Sequence, residues 1–334
     1  MAKYRVGVIG CRGIGISHAS GLVGLPNAEL VAGCDLAENT LNAFRERWQD
    51  TWSNIALYTN HNEMLANENL DIVTVATSDH RHANLVVDAA NAGAKGIFCE
   101  KPMATNIADA DRMIEAAERN STILSIDHTR RWQPLWRHTK ELVVSGRIGQ
   151  VQYIIGTLGG GRAMLFRNGT HLIDTICYFA ESAPEWVSAE LETGYEDYSE
   201  YRGDGGHEPK TEPSAHGYIH FANGVRAFYA GGPKTTPGGL RLEIVGTTGH
   251  ILINDRKGII IEGNASEPIE PPTWDIVGIP AGIQELVRVI DGDGTPVSPG
   301  REAHKVVEIM IGFLASQQRD NAKVTLPLPR DVTY

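Results

Sequence analysis

The sequence predicts an α/β protein in which a doubly wound parallel-sheet domain is followed by an α+β domain with a large, open, mainly antiparallel sheet. Three observations lead to this prediction. The 334 residues exceed what one hydrophobic core usually supports, which favours two domains. Short apolar runs alternate with helix-like segments up to Asp127. Beyond Asp127, strand-like runs follow one another, with turn residues such as Asn223-Gly224 between them.

The first part of the chain contains five candidate strands, each a short apolar run. They cover residues 6–9, 30–34, 72–76, 97–99 and 123–126. Strands that alternate with helices are joined by right-handed crossovers and pair in parallel. This pattern predicts a doubly wound domain over residues 1–127.

The pattern changes over residues 128–334, where a second domain is expected. Candidate strands cover residues 151–157, 186–195, 215–221, 225–230, 241–245 and 251–254. Consecutive strands without intervening helices favour antiparallel pairing. Helices are expected over residues 135–145, 170–180, 283–291 and 302–318, and the helix over 170–180 should cover one face of the sheet. Residues 196–213 lack apolar periodicity and form either a solvated hairpin loop or a lid over a substrate pocket.

Composition narrows the class of protein and its partners. With 42% hydrophobic and 21% charged residues the chain has the balance of an ordinary globular protein. The net charge of -11 supplies no basic stripe, so we expect no nucleic-acid partner. The four cysteines form no CxxC pair and are expected to be buried and reduced. No apolar run approaches the roughly 20 residues that cross a bilayer, and a strand begins within four residues of the N-terminus, so we expect a cytoplasmic protein without a membrane partner.

A glycine loop follows the first strand and precedes a helix. Its residues expected at a bound dinucleotide are Gly10, Arg12, Gly13, Ile14 and Gly15. In the usual fingerprint three glycines make a tight turn, admit the pyrophosphate and let helix pack on strand. Arg12 occupies the middle glycine position, where its guanidinium could swing outward to phosphate or ribose, and Gly13 offers backbone freedom one position later.

Asp35 ends the second strand, about 20 residues after the glycines, where a carboxylate accepts hydrogen bonds from an adenosine ribose. Its negative charge would repel a 2'-phosphate, so NAD is favoured over NADP. The alternative is a turn-forming aspartate before a helix that starts near Glu38.

Three further motifs complete a family resemblance. They are Glu100-Lys101-Pro102, the segment TSDHRH at residues 77–82 and the segment GTHLID at residues 169–174. Together with the glycine loop they make nearly the whole chain resemble the family of glucose-fructose oxidoreductase and inositol dehydrogenase, the Gfo/Idh/MocA family. The resemblance implies a Rossmann domain over residues 1–127. Residues 128–334 would then bind substrate and form a homodimer or homotetramer through the free face of the sheet.

The resemblance implies hydride transfer between a nicotinamide cofactor and a hydroxyl group of a sugar, polyol or sugar derivative. Lys101 lies just past a strand end, where open α/β sheets bind ligands, and can stabilise negative charge on the reacting oxygen. The residues expected around the nicotinamide half are Thr77, Ser78, Asp79, His82, Glu100 and Lys101. Ser78 and Asp79 replace the Pro and Asn common in the family.

The family pattern D-x-G-x-H-x-x-D maps onto residues 167–174. Thr170 has the form of a helix N-cap, and a helix N-terminus would keep His171 neutral and able to accept a proton, with Asp174 on the same face. Arg167 replaces the first aspartate. It either binds an anionic substrate group or points to solvent.

Residues on the substrate side are expected from the same resemblance. They are Lys101, Arg131, Trp132, Arg167, Asn168, His171 and Asp174, with Trp132 placed to stack on a sugar face. The histidines show no metal-ligand spacing, and no metal is expected. Two rival functions stay open: a cofactor-binding regulator without turnover, and a lyase or hydrolase that uses bound NAD for transient oxidation.

Overall fold

The structure of the protein, a computed structural model, describes residues 3–232 and 235–330, which belong to two compact units. The first unit contains the chain up to Ala104 together with Asp109–Trp132 and Asp275–Arg301. The second contains Thr105–Ala108, Gln133–Trp274 and the chain from Glu302 onward.

The helices of the described residues are, in chain order, α1 (Ile14–Ser20), α2 (Glu38–Trp48), α3 (His61–Glu68), α4 (His82–Asn91), α5 (Ile107–Arg119), α6 (Pro134–Val144), α7 (Thr170–Ala180), α8 (Ile279–Ile290) and α9 (Gly300–Gln317). The strands are β1 (Tyr4–Ile9), β2 (Ala28–Cys34), β3 (Ala56–Tyr58), β4 (Ile72–Val75), β5 (Gly96–Cys99), β6 (Ile123–Ile126), β7 (Val151–Gly159), β8 (Pro184–Leu191), β9 (Ala215–Phe221), β10 (Arg226–Gly231), β11 (Gly239–Gly246), β12 (His250–Asn254), β13 (Gly258–Glu262), β14 (Ala265–Pro268) and β15 (Val324–Thr325).

The first unit is built on a six-stranded parallel sheet with the order β3-β2-β1-β4-β5-β6. Its strand order reverses between β1 and β4, the kind of switch point at which open α/β sheets bind ligands beyond the strand ends. The predicted doubly wound sheet is confirmed. Strand β3 was not predicted from the sequence, because its three half-buried residues at the sheet edge form an apolar run too short to be recognised as a strand.

Helix α8 returns to the first unit although it lies far along the chain. Ile283 and Leu286 are buried in the same hydrophobic cluster as residues of β1 and β2. Gly96 of β5 accommodates this helix, since a Cβ atom there would lie 2.6 Å from the Ile290 side chain and 3.1 Å from that of Leu286. The predicted domain boundary between residues 127 and 128 places α8 in the second domain. Helical periodicity reveals an apolar face but not its distant partner, and the functional division itself stays a prediction.

The second unit contains a nine-stranded sheet with the order β14-β13-β12-β11-β7-β10-β9-β8-β15. Only the pair of β7 and β10 is parallel among its described strand pairs, which confirms the mainly antiparallel sheet. The strand predicted over residues 186–195 ends at Leu191, because the Tyr195 amide turns back to the Glu192 carbonyl. The hairpin of β13 and β14 was not predicted.

Helix α7 has the predicted bounds and covers one face of this sheet, also as predicted. Its residues Leu172 and Ile176 lie over Gly156 of β7, where a Cβ atom would come within 2.8 Å and 3.0 Å of the two side chains. Phe313 of α9 packs in the same way over Gly217 of β9.

The opposite face of the sheet carries an aromatic row. The Trp186 ring stacks on Tyr218 and His220 at centroid distances of 4.9 Å and 5.3 Å. Phe228 continues the row edge-on to Tyr218 and keeps 44% of its surface exposed, and Tyr153 is 38% exposed. Part of this face is therefore aromatic and accessible in the second unit.

The structure also shows the burial of the four cysteines and the length and polarity of the helices. The cysteines Cys11, Cys34, Cys99 and Cys177 are all buried. Within the described part of the chain, every helix is too short or too polar to cross a bilayer.

The packing of α8 yields a stability prediction. Leu286→Ala should lower the free energy of unfolding by about 2–5 kcal/mol, the usual cost of truncating a buried leucine. Leu36→Ala, at a leucine of the same unit that is 72% exposed, should change it by less than about 0.5 kcal/mol. Urea unfolding measures both values, and hydrogen exchange of the β5 amides locates the loss. Equal stability of the two variants would contradict the packing of α8 on β5.

Candidate active site

The glycine loop at the end of β1 is close-packed where the fingerprint requires it. Gly10 has φ +90°, and a Cβ atom on it would overlap the Ala76 carbonyl. A Cβ atom on Gly15 would overlap the Gly10 carbonyl. Gly13 faces open space, while Arg12 and Ile14 are exposed. The backbone of this loop is therefore open toward solvent at the carboxyl edge of the sheet, and a dinucleotide phosphate fits such a loop.

Asp35 ties the end of β2 to this loop. Its Oδ2 accepts a hydrogen bond from the Cys11 amide at 3.0 Å, and its Oδ1 accepts one from the Ala37 amide at 3.1 Å. The aspartate thus makes the turn before α2 that was the alternative reading. An ionised carboxylate offers about four acceptor sites, so capacity for a ribose hydroxyl remains.

His82 links the two loops that follow β4 and β5. Its Nδ1 lies 2.9 Å from the Pro102 carbonyl and its Nε2 lies 3.1 Å from the Thr77 carbonyl. Burial lowers the pKa of the imidazole, while the two carbonyl acceptors favour the charged form. With 1% exposure, His82 lies beneath the loops and fixes their spacing. Asp79 is also buried, and its carboxylate accepts a hydrogen bond from the His80 amide.

Lys101 follows β5 and is half-buried at the carboxyl edge of the sheet. Beside it a carboxylate oxygen of Glu100 and one of Asp127 lie within 4.8 Å of each other. His18 of α1 completes the group, with its Nε2 3.6 Å from Glu100 Oε1. In the described part of the chain, this is the only group of at least three His, Cys, Asp or Glu side chains whose ligand atoms all lie within 4.8 Å of one another.

The pKa values of the Glu100 and Asp127 carboxyl groups shift in opposite directions. Burial acts to raise the pKa of Glu100, but interactions with His18, Asp127 and Lys101 lower it to about 2. Burial and the adjacent Glu100 charge hold the pKa of Asp127 well above its ordinary value. The Asp127 carboxyl therefore holds its proton more tightly than the Glu100 carboxyl does.

Arg131 and Trp132 are more deeply buried than a substrate contact requires. Arg131 is 3% exposed and donates to the Val297 carbonyl at 2.7 Å. Trp132 is 2% exposed, and its ring packs on Phe98 at 5.5 Å beneath Gly282 of α8. This corrects the expectation that Trp132 stacks on a sugar. The indole is instead part of the apolar contact that holds α8 in the first unit.

The segment before α7 differs from the expected helix start. Residues Leu165–Gly169 form a turn of π-helix, with the Gly169 amide bonded to the Met164 carbonyl at 2.9 Å. Thr170 already has helical backbone angles and is the first residue of α7, not its N-cap, so the N-cap prediction is wrong. The helical backbone begins before His171, so this histidine does not lie at the helix N-terminus. The prediction that the helix dipole keeps His171 neutral is therefore not supported. π-turns of this kind are frequent at functional sites.

The second unit holds the other expected residues on or near this turn. Asn168 and His171 are half-buried and Asp174 is 1% exposed. Arg167 Nη1 lies 3.4 Å from the Gly205 carbonyl, and Arg162 Nη2 donates to the Gly206 carbonyl at 3.2 Å. Burial and the neighbouring Arg167 charge lower the pKa of Arg162. Two guanidinium groups thus lie together against the loop of residues 196–213.

Comparison with known proteins settles the family. Residues 4–128 match the model of an oxidoreductase family with an NAD-binding Rossmann fold, and residues 136–252 match the GFO/IDH/MocA C-terminal domain. The chain belongs to the Gfo/Idh/MocA family. The resemblance inferred from its motifs and the NAD-binding class of its first domain are confirmed.

Individual members of the family differ in sequence but share the fold. Myo-inositol 2-dehydrogenase of Thermotoga maritima is 36% identical over 146 residues, which are 44% of this chain and 42% of that protein. The chain thus spans about half the length, or less, of the curated relatives it matches. Aldose-aldose oxidoreductase from Caulobacter crescentus, solved with glycerol, superposes with a TM-score of 0.81 at 20% identity, covering 97% of this chain and 100% of that one.

A second solved structure was determined with bound small molecules. The WlbA dehydrogenase from Bordetella pertussis, in complex with NADH and UDP-GlcNAcA, has a TM-score of 0.77 at 20% identity, covering 98% of this chain and 100% of that one. At such identities the likeness establishes the fold alone.

Sequence reasoning missed His18, Asp127 and Arg162. Asp127 carried a usable signal, because it follows β6 as Glu100 follows β5, and carboxylates after neighbouring parallel strands meet at one sheet edge. His18 and Arg162 had no comparable signal, since their neighbours are distant in sequence.

Proposed function

We propose that this chain is a nicotinamide-dependent oxidoreductase that transfers a hydride between the cofactor and a hydroxyl group of a sugar, polyol or sugar derivative. The observation that carries the proposal is the position of Lys101. It follows β5 in a sheet whose β1 ends in the dinucleotide-type glycine loop, so that both lie at one sheet edge. Family membership and the relatives named for inositol and aldose substrates support the same reaction.

The residues divide the chemistry among them. A bound nicotinamide supplies the hydride acceptor. Lys101 donates a hydrogen bond to the reacting oxygen and stabilises its developing negative charge. His171 takes the hydroxyl proton, Asn168 on the same segment orients the substrate, and the buried Asp174 supports this segment. Asp35 and the glycine loop hold the cofactor.

Arg167 supports an anionic substrate. It replaces the family's aspartate and lies beside Arg162, whose pKa is lowered by burial and by this neighbouring charge. Two adjacent guanidinium groups attract a carboxylate or phosphate. The same replacement also favours, as a second candidate, a cofactor-binding regulator without turnover, while Lys101 and His171 favour an enzyme over that regulator.

The central prediction concerns turnover. The chain should form NADH with at least one member of a panel of polyols, sugars and their acidic counterparts. Lys101→Ala should leave NAD affinity nearly unchanged and lower the hydride-transfer rate by about 100-fold or more, since the lysine acts mainly in the transition state. Lys95→Ala, at the other end of β5 and paired with Asp71, is the matched control and should retain the rate.

Single-turnover absorbance of NADH measures these rates. No NADH with any substrate, despite tight NAD binding, would support the regulator. Product formation without net NADH would support the lyase or hydrolase. Equal kcat/KM for neutral and acidic substrates would show that Arg167 does not recognise a negative charge on the substrate.

A second prediction concerns cofactor choice, for which we propose NAD over NADP. Asp35→Ala should weaken NAD binding, because both the ribose acceptor and the bond to the Cys11 amide are lost. Asp35→Asn removes only the negative charge and should mainly raise NADP affinity. Fluorescence titration of both cofactors measures the ratio. Tighter binding of NADP than of NAD by the unmodified chain would overturn the assignment.

A third prediction concerns assembly. We propose a homodimer or homotetramer through the aromatic face of the second unit, in a cytoplasmic protein. Phe228→Glu places a charge in this aromatic row and should reduce the mass measured by light scattering, while Leu36→Glu in the first unit should not. A monomeric unmodified chain would refute the proposed assembly.

A further inference from the structure

We propose that Glu100, Asp127 and His18 form a buried proton-sharing site that positions Lys101 and keeps a single negative charge beside it. These three are positioning residues, and they act on the reaction through the lysine. Their effect on turnover rests on the proposed function, but the shared proton itself can be measured without turnover.

Strand register brings the two carboxyl groups together. Cys99 of β5 pairs with Ile126 of β6, so the next residue of each strand, Glu100 and Asp127, leaves the sheet at the same level. The Asp127 amide donates to the Cys99 carbonyl at 2.8 Å, and the Glu100 amide donates to the Val75 carbonyl at 2.9 Å. The backbone of three adjacent strands therefore fixes the contact between the carboxyl groups.

Burial makes two negative charges at this contact unfavourable. Asp127 is 1% exposed, and the Glu100 side chain is 12% exposed. Two carboxylates sharing such a site cannot both ionise readily, and a proton held between them removes the repulsion. Thr129 Oγ1 donates to Asp127 Oδ1 at 3.0 Å. Asp127 Oδ2 is buried without a hydrogen-bond partner among the described residues, which makes it the atom to carry a proton that the site shares with Glu100.

His18 closes the site from the side of the glycine loop. Its ring is fully buried, packs edge-on against Phe98 at 5.2 Å, and directs Nε2 toward Glu100 Oε1. Neither ring nitrogen has a hydrogen-bond partner among the described residues. Because His18 belongs to α1, it couples the helix that follows the glycine loop to the loop that carries Lys101.

The charged and titratable groups that face Asp127 are Glu100, Lys101, His18 and Cys99. With the proton in place, Lys101 faces the single charge of Glu100. Loss of this proton as the pH rises adds a second negative charge and removes the donor that faces Glu100. The lysine then loses both its position and its electrostatic balance.

The first test detects the proton in the full chain. Infrared spectroscopy at pH 7 should show the carbonyl band of a protonated, buried carboxyl group, and the band should vanish in Asp127→Asn. The asparagine amide can still donate to Glu100, so this variant should fold. Absence of the band, its persistence in Asp127→Asn, or one tightly bound divalent cation per purified chain would overturn the proposal.

The second test uses the pH dependence of stability. Because Asp127 keeps its proton in the folded chain at pH values where the unfolded chain releases it, folding binds a proton and stability falls as pH rises. The unfolding equilibrium constant should therefore gain a factor of about ten per pH unit above roughly pH 5, relative to Asp127→Asn. The low pKa of Glu100 acts only below that range. Identical pH slopes for the two proteins would overturn the proposal.

The third test addresses the lysine. Asp127→Ala should lower kcat by about 10-fold to 100-fold, the range for a displaced catalytic group, with NAD affinity unchanged. Asp127→Asn should recover most of this loss and should also lose the transition that release of the Asp127 proton adds to the pH profile. Failure of the asparagine to rescue kcat would overturn the positioning role. An inactive protein that shows the infrared band and the pH slope would refute the proposed function and leave the shared proton standing.

Discussion

The hydrogen-bonded register of the parallel sheet is the constraint on which the candidate site depends. Because β1, β4, β5 and β6 run in the same direction, each must end at the same edge. The glycine loop, the Thr77 loop, Glu100 and Asp127 are each the continuation of one of these strands. Hydrophobic burial of the strands thus determines where polar groups emerge, and the polar groups themselves contribute little to that choice.

Local pattern was sufficient for most of the fold. Alternating apolar runs predicted the parallel strands, and α7 was predicted with its observed bounds. What failed depended on partners elsewhere in the chain. Periodicity gave α8 an apolar face, but contacts with residues distant in sequence, such as those of Gly96 and Trp132, show which unit receives it. The same contact explains Trp132, whose indole is needed in the core.

The residues of the candidate site fall into the same two groups, those that local sequence predicts and those that depend on partners distant in the chain. Lys101 and Glu100 could be found from a tripeptide after an apolar run, whereas His18 required the fold to bring α1 against β5. The helix start at Thr170 was misjudged because the Met164 carbonyl accepts from Gly169 and extends the helical backbone by a π-turn. Single-residue preferences do not register such a bond.

The return of α8 to the first unit has a consequence for biosynthesis. While the chain emerges from the ribosome, the parallel sheet is complete by residue 126, yet the helix that covers Phe98 and Trp132 begins only at residue 279. At 5 to 20 residues per second this leaves a gap of roughly eight to thirty seconds. During that time a broad apolar surface of the nascent domain must remain exposed to water or be covered by a chaperone.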